Sequence, residues 1–103
     1  MTQQINVLVD QQGSTRWNSE VVPSLVAGLI GEASTTNDFL NRCGIKAESG
    51  PDGVVIKFTP EPRLRINESV VARMVVSAVE HLMVERRIEG LELSVDESSG
   101  RRR

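Results

Sequence analysis

The chain has 103 residues, 39% hydrophobic and 25% charged, with a formal net charge of -2. That balance fits one globular domain with a modest core and argues against a disordered chain. The near-neutral charge, 12 basic against 14 acidic residues, argues against a nucleic-acid binder.

No apolar run approaches the roughly 18 residues that a membrane span needs. The start, Met1 to Gln4, lacks the basic and apolar regions of a secretory signal, so a cytoplasmic location is expected. The lone cysteine, Cys43, rules out an internal disulfide and a multi-cysteine metal site. The only aromatic residues are Trp17, Phe39 and Phe58, so aliphatic side chains must build the core.

In chain order, residues 5–9 read as a strand, with Ile5, Val7 and Val9 on one face by the period of two. Residues 10–18 form a polar loop, and Ser19 is a candidate helix cap. Val21, Val22, Leu25, Val26, Leu29 and Ile30 then recur at helical spacing, with Pro23 in the first turn where its missing N–H is tolerated. Thr35 with Asp38 resembles a capping box before a short second helix through Phe39 and Leu40, stopped at Gly44.

Residues 45–49 and 54–59 read as a hairpin around Gly50, Pro51, Asp52 and Gly53. Pro60 and Pro62 end it and open an extended connector. Asn67 caps the longest helix, expected to run to about Glu89 and end at Gly90. Leu91, Leu93 and Val95 alternate with polar residues as a last strand. Residues 1–95 are expected to form one α+β domain, and residues 96–103 a disordered charged tail.

The order strand, helix, strand, strand, helix, strand implies the split βαβ, ferredoxin-like arrangement: a four-stranded antiparallel sheet with two helices on one face. Its core would combine Ile5, Val7, Val9, Ile45, Ala47, Val54, Ile56, Phe58, Leu91, Leu93 and Val95 with the helices. Its open face has no aromatic residue on which a base would stack.

The long helix is the most informative segment. An arc of Val71, Met74, Val75, Ala78, Val79 and Leu82 would cover the sheet, extended by Val76 and Met83. Val70, Val84 and Ile88 lie on a further side, among Arg73 and Arg87. A helix on a small sheet needs an apolar stripe of only about 100°. The excess points to a second contact surface for a protein partner or a second copy of the chain. Trp17, beside the loop after the first strand, suits either a partner contact or a cap on the end of the core.

The alternative is a small-molecule or anion-binding regulatory domain using the loop after the first strand. Asp10 ends that strand, and Ser14, Thr15 and Arg16 precede a helix start. The loop lacks the lysine of a P-loop and the glycine spacing of a dinucleotide fingerprint. Catalysis by Cys43, His81 or Asp10 is the weakest reading, because the sequence supplies no partner set. No catalytic residue, metal ligand or cofactor is assigned. Function is expected to rest on protein–protein interaction: a subunit, adaptor or inhibitor that self-associates through the long helix.

Overall fold

The computed structural model describes residues 3–13, 17–18, 20–50 and 53–96. The elements are β1 (Gln3–Gln11), α1 (Val22–Thr36), α2 (Asp38–Arg42), β2 (Ile45–Ser49), β3 (Gly53–Phe58), α3 (Glu68–Glu85) and β4 (Leu91–Asp96). The strands form one sheet in the order β2-β3-β1-β4, and every neighbouring pair is antiparallel.

The pleat of these strands separates two faces. Register aligns Val7 with Val54 on one side and Val95 on the other, and Ile5 with Ile56. Ala47 falls opposite Ile56, and Ile45 opposite Phe58. This face packs on Val26, Leu29, Ile30 and Ala33 of α1 and on Val71, Val75, Val79 and Met83 of α3. Ile5, Val7, Val54, Ile56, Phe58 and Leu93 are buried there, whereas Val9, Ile45, Ala47, Leu91 and Val95 are half-buried at the margins. The opposite face carries exposed Gln4, Lys46, Glu48, Glu92 and Ser94, with Asn6, Leu8, Val55 and Lys57 partly covered.

Two close backbone approaches fix the hairpin strands in place. Gly44 has φ +64°, and a Cβ there would overlap the Thr59 carbonyl oxygen. Thr59 N–H donates to Gly44 O at 3.0 Å across the same contact. A Cβ at Gly53 would overlap Val7 O, so only glycine lets β3 close on β1 at that point.

Several element ends differ from the sequence expectation. Ser19 lies outside the described residues, and Val21 occupies the α1 cap position without a side-chain bond. Asn18 serves this turn instead, its Oδ1 accepting Glu20 N–H at 2.8 Å.

The cap of α2 is Asn37, which accepts Leu40 N–H at 3.0 Å, in place of Thr35. The Thr35 and Thr36 hydroxyls donate back to the Glu32 carbonyl and so belong to the last turn of α1. Asn67 caps α3 as expected, accepting Val70 N–H at 3.2 Å.

α3 stops at Glu85, one turn before the expected end. Arg87 adopts φ 58°, and Ile88 N–H turns back to Met83 O at 2.8 Å. Ile88 then folds onto the core. The other end of the chain also departs slightly, since Asp96 still pairs with Asn6 in β4. Residues 97–103, the rest of the expected tail, lie outside the described residues.

Candidate functional site

The loop after β1 is tied to the turn between α3 and β4. Gln12 N–H donates to Gly90 O at 2.8 Å, and Gln12 Nε2 to Glu92 Oε1 at 2.7 Å. Trp17 N–H donates to Gln11 Oε1 at 2.9 Å, and its indole Nε1 to Glu89 O at 2.6 Å. The Trp17 ring is half-buried against the core. Its one side-chain donor is taken up by the fold, and part of its apolar body rests on the core.

Of the anion-site candidates, Ser14, Thr15 and Arg16 lie outside the described residues. Asp10 is exposed and stands directly across the ladder from Glu92. Two carboxylates at this sheet end oppose an incoming anion.

The helical layer presents a different surface. The buried side of α3 is Val71, Ala72, Val75, Val76, Val79 and Met83. Its centre is therefore shifted from the expected arc, which placed Met74 against the sheet. Met74 instead stands outward, 39% exposed, in line with Val70 at 48% and Val84 at 78%. Ser77 and His81 lie between them and are also exposed. Ile88 leaves this surface because it packs inward, while Arg73 and Arg87 are exposed beside it.

A groove of about 590 Å³ runs along this surface between α1 and α3. Ala33, Met74, Ala78 and Leu82 give it apolar walls, with Thr36, His81 and Glu85 at its polar margin. One end of the helical pair is closed by Arg86, whose Nη1 donates to Glu32 Oε1 at 2.9 Å. The second nitrogen, Nη2, donates to Glu32 Oε2, making the contact bidentate. This pairing holds the Glu32 carboxyl below its usual range and raises Arg86. Nothing in the local sequence pairs positions 54 residues apart, so periodicity alone could not reveal this clamp.

The candidate chemical groups are dispersed. Cys43 is fully enclosed, and desolvation raises its thiol pKa, with Arg42 pulling weakly the other way. His81 is in solvent on the outer side of α3, its Nε2 3.7 Å from Glu85 Oε2. One group is sealed in the core and the other faces water, so they form no dyad. Among the described residues, no three His, Cys, Asp or Glu side chains gather where a metal could be held. No described helix is long and apolar enough to cross a membrane. A small hollow of about 160 Å³ lies on the open sheet face, beside Asn6, Leu8, Gly53 and Val55.

In comparison with known proteins, the chain matches no family model, no curated protein and no solved structure.

Proposed function

We propose that this protein is a small interaction module, a subunit or adaptor, that associates with a second copy of itself through the outer side of α3. The observation that carries this reading is the row of exposed Val70, Met74 and Val84 on a helix whose opposite side already fills the core. Apolar surface beyond what the fold needs, beside an apolar groove, is what an association face requires. A cytoplasmic location is part of the proposal, as is the split βαβ fold. The sheet order β2-β3-β1-β4 with α1 and α3 on one face supports that fold, to which α2 is an addition.

The interface is small. A helix of 18 residues spans about 27 Å at roughly 1.5 Å per residue. One such ridge with its groove lies at the low end of known interface sizes, so association in the micromolar range is expected.

The test is the mass of the full chain in solution beside that of Val70→Asp with Val84→Asp. Both sites are exposed, so the double variant keeps its melting temperature within a few degrees. A dimeric parent and a monomeric, folded variant support the reading. A parent that stays monomeric at high concentration, or a variant that dimerises equally well, refutes it.

A further inference from the structure

The sheet ends at β4, and one bond fixes the direction of that strand's backbone groups. Gln12 N–H donates to Gly90 O at 2.8 Å, in line with the register that sets Asp10 against Glu92 and Leu8 against Ser94. Opposite residues in an antiparallel ladder are bonded at every second pair. Glu92 and Ser94 therefore turn their N–H and C=O groups toward β1. Those of Leu91, Leu93 and Val95 point away from it, and among the described residues no strand pairs with that side of β4.

This edge is unguarded. Its register with β1 runs from Leu91 to Asp96 without a bulge, and β4 contains no Pro, Lys or Arg. The opposite edge, β2, carries exposed Lys46. A strand added at β4 would satisfy the outward backbone groups and cover Leu91 and Val95, which are half-buried.

Charge selects the kind of strand. Residues directly opposite one another share a face of the sheet. Incoming residues opposite Leu91, Leu93 and Val95 extend the core side, so apolar side chains fit there. Those opposite Glu92 and Ser94 lie on the open face. Exposed Asp10 and Glu92 stand across the ladder from each other there, and neither β1 nor β4 holds a basic residue. Glu92 accepts from Gln12 Nε2, a neutral donor that leaves its charge in place. A second copy would bring the same two carboxylates to this contact, whereas a strand with Lys or Arg complements them.

We infer that the β4 edge takes an extended segment of a partner protein in which apolar and basic residues alternate. Main-chain bonds to Leu91, Leu93 and Val95 supply affinity, and the alternation supplies specificity. This surface is separate from the outer side of α3, and the inference does not rest on pairing there.

The experiment follows backbone amides of the full chain by NMR at low salt. The probe is a short capped peptide of alternating valine and lysine. In the protein alone, the Leu93 and Val95 amides should exchange with solvent faster than those of Glu92 and Ser94. The probe should slow Leu93 and Val95 by roughly tenfold or more and move β4 resonances most. A peptide with glutamate in place of lysine should bind roughly tenfold more weakly, and Glu92→Lys should reverse that preference without loss of fold. A valine–lysine peptide N-methylated at alternate residues should not bind.

Binding that maps to α3 or elsewhere, equal binding of the glutamate or N-methylated peptide, or no binding of any of them overturns the inference. Protection of Leu93 and Val95 that grows with protein concentration alone gives the edge to a second copy and also overturns it.

Discussion

Trp17 separates a binding residue from a structural one, and the structure assigns it to the fold. Its ring is half-buried against the core, and its Nε1 donates to Glu89 O at 2.6 Å. Trp17→Phe keeps most of the ring and deletes the donor. The Glu89 carbonyl left behind is exposed enough to take a water, so the cost is about 0.5–1 kcal/mol.

Trp17→Ala also removes the packing. A fully buried aromatic truncated to Ala costs roughly 3–5 kcal/mol, so a half-buried one should cost about 2. At roughly 4–8 °C per kcal/mol for a domain of this size, the phenylalanine variant should melt about 2–8 °C lower and the alanine variant about 8–16 °C lower. Thermal unfolding followed by far-ultraviolet circular dichroism measures both without relying on the deleted fluorophore. Equal melting temperatures for the parent and both variants would refute the assignment and return Trp17 to the surface as a free contact residue.

Three further predictions concern stability and reactivity. Gly44→Ala forces a Cβ onto the Thr59 carbonyl oxygen at a left-handed backbone position, so urea unfolding should show a loss of at least about 2 kcal/mol. A loss within experimental error would contradict the close approach. Arg86 holds the Glu32 pKa below its unfolded value, so this contribution exists above the unfolded value and disappears as pH falls through the folded one. Glu32→Gln should therefore melt lower than the parent near neutrality, with the gap closing in acid; a gap independent of pH would discount the ion pair. Cys43 is enclosed, with its thiol pKa raised by burial. It should react with a thiol reagent only after unfolding, and rapid labelling of the native protein would contradict its burial.

The alternation of Ile5, Val7 and Val9, and of Val54, Ile56 and Phe58, made these strands readable because one face must be dry. Asn67 and Gly44 marked helix ends through local chemistry that needs no tertiary partner. The end of α3 was less legible. Glu85 to Glu89 suit a helix, but Ile88 finds burial by turning back through the left-handed Arg87, and tertiary packing outweighs propensity there.

The position of the apolar arc was missed for a related reason. Aliphatic side chains spread around α3 offer several alternative buried sides, and only the packing of Val76 and Met83 decides that Met74 turns outward. The groove between α1 and α3 and the Glu32–Arg86 clamp arise from distant segments brought together, which periodicity does not encode.

Sedimentation velocity of the unmodified full chain, from low micromolar to near-millimolar concentration, tests self-association most directly. Pairing through α3 predicts a reversible rise from the monomer mass to twice that mass, reaching a plateau there. A single monomer boundary across the whole series would contradict it and leave the exposed row on α3 without its proposed partner.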